Sequence, residues 1–196
     1  MLLRSEIYKQ IQQGNISITP FNYANLGVNS YDVTLAPELK VYLSPVLDMR
    51  YLNLTRSIAI PEEGFVLQPG EFYLGSTNEI AGAKGFIPMY EGRSSLARLG
   101  IKSHFSAGFG DIGFVGSWTL EIAVQKPVRI YPNIRIGQVY FQKGEGQIEC
   151  YDGKYNYQQG ANPSKSYLDF EPQLTTLCSL STNNDPKLAP VSFNHE

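Results

Sequence analysis

The chain has 196 residues, of which 42% are hydrophobic and 17% are charged. This length and composition indicate one ordinary folded domain, and they exclude both a disordered chain and a pair of large domains. The formal net charge of −2 gives no overall positive field, so nucleic acid is not an expected partner and any polyanionic ligand must be held by a local group of arginines and lysines.

The first predicted element is a helix over residues 2–13, where Leu3, Ile7, Tyr8 and Ile11 share one face and Gly14 follows as a stop. After it, short apolar alternations are separated by Gly, Pro and Asn, a pattern typical of an all-β sandwich or barrel. The predicted strands cover residues 31–35, 39–43, 57–60, 65–67, 72–75, 85–90, 116–124, 127–131 and 137–142. Residues 68–71, Gln-Pro-Gly-Glu, predict a type II turn that joins two of these strands.

The last part of the chain changes in composition. From residue 143 it is polar and rich in Gly, Gln and Asn, with four interleaved tyrosines, which favours a binding lid over a plain linker. Residues 171–196 predict an irregular tail. We therefore expect one domain over residues 1–170, including the N-terminal helix and a closing segment, followed by the tail.

Cysteine usage and hydropathy bear on the compartment. Only Cys150 and Cys178 are present, and no secretory leader is recognisable, so a reducing cytoplasmic location is expected. No apolar run approaches the ~20 residues that cross a bilayer, so no membrane partner is expected either.

Residues 91–100, Glu-Gly-Arg-Ser-Ser-Leu-Ala-Arg-Leu-Gly, concentrate charge, hydroxyl groups and glycine between apolar segments. Guanidinium groups supply rigid forks of donors that suit phosphate oxygens, so one interpretation is an anion-binding loop. The alternative is a helical turn whose arginines lie in water. The segment is neither a Walker A loop nor a Gly-x-Gly-x-x-Gly dinucleotide loop.

Extended to residue 121, this segment resembles the deoxycytidine triphosphate (dCTP) deaminase family of the trimeric dUTPase superfamily. The matching residues are the string at 92–100, then His104, Ala107, Gly108, Asp111, Gly113, Phe114, Gly116, Thr119, Leu120 and Glu121. A second match lies at 154–167 and a weaker one at 29–35, so the resemblance covers roughly residues 1–170. It implies a mainly β domain with an N-terminal helix, a distorted jelly roll or β-barrel of the dUTPase-like type, in a homotrimer with sites at subunit interfaces.

The resemblance also implies an enzyme that hydrolyses dCTP to dUTP and ammonia. Glu121 falls at the catalytic glutamate, and Ser94, Arg98 and the backbone of Ala107 fall at positions that orient the attacking water. The substrate-binding positions are Arg93, Ser94, Ser95, Arg98, Asp111, Tyr151, Lys154 and Gln158. Magnesium would arrive on the triphosphate. Zinc is not expected, because the His-x-Glu and Pro-Cys-x-x-Cys motifs of zinc nucleobase deaminases are missing.

The local pattern leaves the surroundings of several of these residues open. Glu121 faces the same side of its strand as Thr119, and that side could equally be solvent. Asp32 could be a buried carboxylate with partners or a turn residue, and Asp111 could be a simple turn aspartate. His104 is expected to be structural, although in the resembling family its neighbourhood contributes to feedback by thymidine triphosphate.

The chain departs from the family at one motif, since Gly110-Asp111-Ile112-Gly113 stands where Ile-Asp-Pro-Gly is usual. The departure bears on sugar or base selectivity. Three alternatives to dUTP release remain. The first is a bifunctional enzyme that continues to dUMP and pyrophosphate, with Asp111 helping to activate a second water. The second is a nucleotide-binding regulator without turnover, which the altered Gly110 and Ile112 keep open, and the third is an enzyme for a modified cytosine.

Overall fold

The computed structural model describes residues 1–170. Its largest sheet is built on one long strand, β6 (Tyr73–Ala83). The helices are α1 (Arg4–Gln12) and α2 (Ser94–Ala97), with short 3₁₀ turns at Tyr23–Asn25 and Ser166–Asp169. The other strands are β1 (Ile16–Thr19), β2 (Tyr31–Thr34), β3 (Glu38–Tyr42), β4 (Thr55–Ala59), β5 (Phe65–Leu67), β7 (Ile87–Gly92), β8 (Ile101–Lys102), β9 (Val115–Val124), β10 (Val128–Ile130) and β11 (Arg135–Gln142). The predicted mainly β fold with an N-terminal helix is confirmed.

The strands of residues 1–170 form three antiparallel sheets. The largest has the order β4-β3-β6-β9-β8, and β1 also pairs with β6. A three-stranded sheet has the order β2-β11-β7, and β5 pairs with β10. The buried apolar face of β9, with Trp118, Leu120 and Ile122, belongs to the main hydrophobic core. The opposite face of β9 is therefore free to carry polar side chains toward a site.

A bulge in β6 ties the sheets together. The register of β6 against β9 shifts between Ser76 and Ile80. Within the bulge, the carboxylate of Glu79 is buried and accepts hydrogen bonds from the backbone N–H and the hydroxyl of Thr34 on β2, at 2.8 and 3.0 Å. The Thr77 hydroxyl donates to the Glu79 carbonyl and accepts from the backbone N–H of Trp118. The polar groups of this irregular stretch thus have partners on both neighbouring strands.

The structure contains the predicted kinds of element, but several of them begin or end at other residues. The turn at 68–71 is confirmed, because Gly70 has φ +83° and the Glu71 N–H donates to the Gln68 carbonyl. The prediction of 72–75 as a strand is too short, since β6 continues through its bulge to Ala83. The helix face is partly wrong: Ile7 is buried, but Leu3 is exposed and Leu2 is buried instead. Strands β1 and β8 were not predicted.

The described chain divides into two compact units. One comprises Met1–Pro45 and Leu54–Pro163, and the other comprises Val46–Asn53 and, of the described residues, 164–170. In the second unit, the Ser166 hydroxyl donates to the Met49 carbonyl at 2.9 Å, and the Arg50 guanidinium lies over the Phe170 ring. The predicted boundary at residue 170 stays a prediction, and the predicted tail, with Cys178, lies outside the described residues. No helix within residues 1–170 has both the length and the apolar character that a membrane crossing requires.

Candidate active site

Glu121 lies on β9 with its side chain on the face opposite Trp118, Leu120 and Ile122. It is half-buried, and one of its carboxylate oxygens accepts a hydrogen bond from the backbone N–H of Phe105 at 2.9 Å. The strand alternation does not decide whether this face of β9 is exposed to bulk solvent. The structure instead places the loop after β8 against the carboxylate, so one oxygen of Glu121 is oriented by the Phe105 N–H.

Ala107 lies in the same loop, two residues after Phe105, and is exposed. The loop is anchored beyond it, because the Gly108 carbonyl accepts from the backbone N–H of Tyr90 on β7. The loop is therefore held at two points, by Phe105 on Glu121 of β9 and by Gly108 on Tyr90 of β7. The backbone of Ala107 lies between these two points of the loop.

The arginine- and serine-rich segment forms a helical turn. Arg93 precedes α2, Arg98 follows it, and Gly100 ends the turn with φ +77°. The side chains of Ser94, Ser95 and Arg98 are exposed. This conformation is compatible with both interpretations of the segment, since exposed hydroxyl and guanidinium groups are what a phosphate ligand requires.

Arg93 has a carboxylate partner. Its Nη2 lies 3.4 Å from Oδ2 of Asp32, and Nη1 of Arg135 lies 3.6 Å from the same oxygen. Asp32 is on β2, opposite Gln138 of β11, which in turn is opposite Glu91 of β7. Asp32 is therefore a strand residue with two cationic partners and not a turn residue. Arg135 was not predicted, because its register opposite β2 is visible only in the folded sheet.

Within residues 1–170, no hydrogen bond or ion pair joins Glu121 to Arg93, Ser94, Ser95 or Arg98. Glu121 is held by the loop after β8, whereas Arg93 is held by Asp32 of the three-stranded sheet. One chain thus presents two separate sets of predicted site residues. One is Glu121 with the loop after β8, and the other, which we call the basic group, consists of Arg93, Ser94, Ser95 and Arg98.

Asp111 and Tyr151 meet at one cleft. The cleft has a volume of about 430 Å³ and is lined by Ile87, residues 109–112 and residues 149–151. Asp111 belongs to a turn in which the Phe114 N–H donates to the Asp111 carbonyl, and the Tyr151 N–H donates to the Ile112 carbonyl at 2.7 Å. Gly113 has φ +90°, and a Cβ there would lie 2.8 Å from Cβ of Cys150. The glycine allows the closing segment to approach the turn.

Gln158 and Lys154 lie on the closing segment, which packs against β9. The Gln158 side chain donates to the Ser117 carbonyl at 2.8 Å, and the Ser117 N–H donates to the Gln158 carbonyl. Thr119, on the same face as Glu121, accepts from the backbone N–H of Asn162 at 3.1 Å. Lys154 is half-buried, with Nζ 5.9 Å from the centre of the Tyr155 ring. The closing segment is therefore held against Ser117 and Thr119 of β9 through Gln158 and Asn162.

His104 contacts Glu91 and Tyr90, and its expected structural role stays a prediction. Its Nε2 lies 3.2 Å from the Glu91 carboxylate, and its ring contacts Tyr90 edge-on. The Tyr90 hydroxyl donates to Ser103 at 2.9 Å. Burial raises the pKa of the Tyr90 phenol, the hydrogen bond to Ser103 lowers it, and the nearby carboxylates of Glu121 and Glu91 raise it further. Tyr90 is thus a neutral hydrogen-bond donor between two acidic residues.

Two contacts of the site escaped prediction. Phe105, which orients Glu121, acts through its backbone, and no side-chain pattern reports that. Trp118 packs under the Asp111 turn, where a Cβ on Gly110 would lie 2.8 Å from Cη2 of the indole. The unusual Gly110 was the available signal for this contact. No group of three or more potential metal-ligating His, Cys, Asp or Glu side chains occurs in the part of the chain that the structure describes.

Comparison with known proteins gives consistent matches. A family model described as dCTP deaminase-like matches residues 1–144. The protein named dCTP deaminase, dUMP-forming, of Clostridium botulinum (strain Alaska E43 / Type E3) is 48% identical over 172 residues, covering 87% of this chain and 99% of that protein. The protein of the same name from Leptospira biflexa serovar Patoc (strain Patoc 1 / Ames) is 45% identical over 172 residues, with 87% and 98% covered.

One solved structure supports the fold. The crystal structure of 2′-deoxycytidine 5′-triphosphate deaminase from Agrobacterium tumefaciens matches with a TM-score of 0.59 at 16% identity. The match covers 73% of this chain and 47% of that one, so this chain spans about half the length of that structure. At this identity the likeness concerns the fold alone.

Proposed function

The chain belongs to the dCTP deaminase-like family, and from this premise we propose that it converts dCTP to dUMP, releasing ammonia and pyrophosphate. The proposal rests mainly on the relatives named dCTP deaminase, dUMP-forming. They are 45–48% identical to this chain over nearly their whole length. The sequence alone favoured dUTP as the released product. The names of the relatives favour the bifunctional alternative, and we adopt it.

The first step is hydrolysis at C4 of cytosine. As water adds to C4, the Glu121 carboxylate takes one proton and passes it to the ring nitrogen; it then carries the proton of the added hydroxyl to the amino group, which leaves as ammonia, so that dCTP and water give dUTP and ammonia. The hydrogen bond from the Phe105 N–H to one Glu121 oxygen favours this role, because it fixes the carboxylate through one oxygen while the other exchanges the proton. Ser94, Arg98 and the Ala107 backbone position the water in this proposal.

The second step breaks the bond between the α and β phosphates of dUTP. A second water attacks the α-phosphorus, and the products are dUMP and pyrophosphate. Asp111, an exposed carboxylate at the cleft, assists the deprotonation of this water. Arg93, Ser95, Lys154 and Gln158 bind phosphate oxygens, and magnesium enters as part of the nucleotide substrate, bound to its phosphates.

We further infer a homotrimer whose site is shared between neighbouring chains. Within one described chain, Glu121 and the basic group have separate partners, Phe105 and Asp32. A site that needs both groups is completed when the basic group of one subunit faces Glu121 of another. The cytoplasmic location predicted from the cysteines belongs to the same proposal.

The test is a product assay with purified protein, dCTP and magnesium, in which nucleotides are separated by chromatography and ammonia and pyrophosphate are measured separately. We expect dUMP, ammonia and pyrophosphate in equal amounts, without accumulation of dUTP. Accumulating dUTP would identify a deaminase that stops after the first step. Nucleotide binding with unchanged dCTP would identify a regulator.

Subunit complementation tests the shared site. Glu121→Gln and Arg98→Ala are each expected to be inactive, and the two variants are co-expressed with different tags and purified as mixed assemblies. If neighbouring subunits contribute the two residues, about a quarter of the sites in a random mixture are intact in both residues, and activity returns accordingly. A site contained in one chain gives no recovery. Light scattering on the purified protein checks the trimeric mass.

A further inference from the structure

A continuous row of ring contacts ends at the residue whose backbone holds Glu121. The Phe105 ring meets the Phe72 ring at 5.4 Å between centres and 68° between planes, and Nζ of Lys102 lies 4.2 Å from the centre of the Phe105 ring. The Phe72 ring is stacked in turn on the Tyr42 ring, at 6.5 Å and 6°. We call these four side chains the aromatic row: Tyr42, Phe72, Phe105 and Lys102.

The strand registers place the aromatic row on the face of the large sheet that carries Glu121. Lys102 of β8 is opposite Ala123 of β9, two residues beyond Glu121 and therefore on the same face. Leu74 of β6 is opposite Glu121, and Phe72 precedes Leu74 by two residues. Leu74 is 4% exposed although, among the described residues, it is not part of the main hydrophobic core. This face of the sheet is therefore covered beside Glu121.

The Phe105 ring owes its orientation to neighbours in the row. Phe105 is 47% exposed and Phe72 is 36% exposed, so burial in the core does not fix either ring. Their contacts are of the kinds that rings and cations favour, an edge-to-face pair at about 4.5–7 Å and an ammonium within about 6 Å of a ring centre. Phe72 and Lys102 therefore determine together where the Phe105 side chain lies.

The position of the ring sets the position of the backbone at Phe105. The Phe105 N–H donates to a Glu121 carboxylate oxygen at 2.9 Å. The next two residues, Ser106 and Ala107, are exposed, and the loop is held again where the Gly108 carbonyl accepts from a backbone N–H of β7. A Phe105 ring that leaves Phe72 takes its own N–H with it. Glu121 then loses the donor that orients its carboxylate.

We propose that Phe72 and Lys102 are positioning residues for the deamination step, because they fix the Phe105 ring and with it the N–H that orients Glu121. This rests on the proposed function, in which Glu121 moves protons at C4 of cytosine. A carboxylate without this donor spends less time in the geometry for proton transfer, so the loss of either contact lowers kcat. KM changes little, because other residues bind the triphosphate in the proposed function.

Phe72→Ala is the first test, since it removes the ring beside Phe105 and leaves every residue of the proposed site in place. We expect kcat for ammonia release from dCTP to fall about tenfold, with KM nearly unchanged. Phe72→Tyr keeps the ring and should keep most of kcat. Tyr131→Ala is the matched control, because Tyr131 is a ring of similar exposure, 45%, outside the row. A fall in kcat/KM that comes from KM alone would contradict a positioning role.

Lys102→Met supplies the second arm, because methionine keeps the length of the side chain and removes the ammonium. We expect a several-fold fall in kcat, and Lys102→Arg, which retains a cation for the ring, should restore it. Lys126→Met, at an exposed lysine after β9, is the control for the loss of one positive charge. Wild-type kcat in Lys102→Met would overturn the proposal even if Phe72→Ala failed to fold. So would wild-type kcat in a folded Phe72→Ala.

Hydrogen exchange tests the inference without the reaction. Labelling the ten phenylalanines with ¹⁵N gives few amide signals, and Phe105→Leu identifies the signal of Phe105. We expect this amide to exchange slowly in the wild type and faster in Phe72→Ala and Lys102→Met, while Glu121→Ala, which lacks the acceptor, sets the rate of an unbonded amide. Wild-type exchange at Phe105 in both row variants would refute the inference. A wild-type protein that releases no ammonia from dCTP refutes the proposed function instead, whatever the exchange rates.

Discussion

Asp32 and Arg93 form an ion pair at 3.4 Å, between β2 and the residue that precedes α2. The guanidinium that the proposed function assigns to phosphate is therefore oriented by a carboxylate before any nucleotide arrives. Arginine has five N–H donors, so Arg93 can keep Asp32 and still donate to a phosphate oxygen. Arg135 shares the same carboxylate oxygen at 3.6 Å and offsets its charge. In the proposed function, Asp32 accordingly supports phosphate binding by Arg93 and does not compete with it.

The ion pair predicts whether removing the charge of Asp32 raises or lowers KM for dCTP. Asp32→Asn removes a negative charge near the phosphates, and simple charge repulsion would make dCTP bind more tightly. Because Asp32 orients Arg93, we expect weaker binding instead, a several-fold rise in KM measured at constant ionic strength. The ion pair is partly exposed, so unfolding by denaturant should change by no more than about 1 kcal/mol.

Glu38→Gln is the control, since Glu38 is exposed on β3 and its replacement removes the same charge. If Asp32→Asn lowers KM while Glu38→Gln leaves it unchanged, Asp32 opposes the substrate and the positioning role is wrong.

Arg93 itself should contribute mainly to binding. Arg93→Ala removes a charge-assisted hydrogen bond worth about 1.5–3 kcal/mol, which corresponds to a rise in KM of roughly ten- to a hundredfold. Arg93→Lys keeps the charge without the planar fork and should give an intermediate value. The measurement is steady-state kinetics with dCTP, and Arg56→Ala, an exposed arginine on β4, is the matched control. A KM equal to that of the control would remove Arg93 from the phosphate site.

Much of the fold could be predicted because it depends on local patterns. Gly14 ends α1, and Pro69 with Gly70 forms the turn before β6, as their backbone preferences dictate. The second half of β6 could not be predicted, because its alternation is interrupted by a bulge whose buried Glu79 is satisfied by Thr34, a residue 45 positions away in sequence. A pattern of period two cannot anticipate a partner on another sheet.

The candidate site could also be predicted only in part. Its side chains could be named from the motif strings, and the structure brings Asp111 and Tyr151 to one cleft and Gln158 onto β9. The contacts that orient those side chains come from folding: the Phe105 backbone on Glu121, and the indole of Trp118 beneath Gly110. The replacement of isoleucine by glycine at 110 was visible in the sequence, but its physical reason required the position of the ring.

Glu121→Gln should separate binding from chemistry. Glutamine keeps the size of the side chain and can still accept from the Phe105 N–H, but it cannot take a proton from water. We expect ammonia release to fall about 10²- to 10⁴-fold, with dCTP binding measured by calorimetry nearly unchanged. Glu71→Gln, at the exposed turn before β6, controls for the loss of one charge. Near-normal turnover in Glu121→Gln would assign the proton transfer to another group.

Tyr90 predicts how stability depends on alkaline pH. Burial raises the pKa of its phenol, so the folded state retains the proton at a pH where the unfolded chain, with a pKa of about 10, loses it. Its stabilising contribution is therefore complete below about pH 10 and is lost as pH rises toward the folded pKa.

Tyr90→Phe should lose about 1 kcal/mol at neutral pH, with the hydrogen bond to Ser103, and show a shallower fall in the free energy of unfolding above pH 10. Some alkaline loss should persist, because burial also raises the pKa of Tyr31. Denaturant unfolding between pH 7 and pH 11 measures both effects, and Tyr131→Phe, at an exposed tyrosine, should reproduce the wild-type slope. An equally steep fall in Tyr90→Phe would mean that the Tyr90 phenol does not retain its proton in the folded protein.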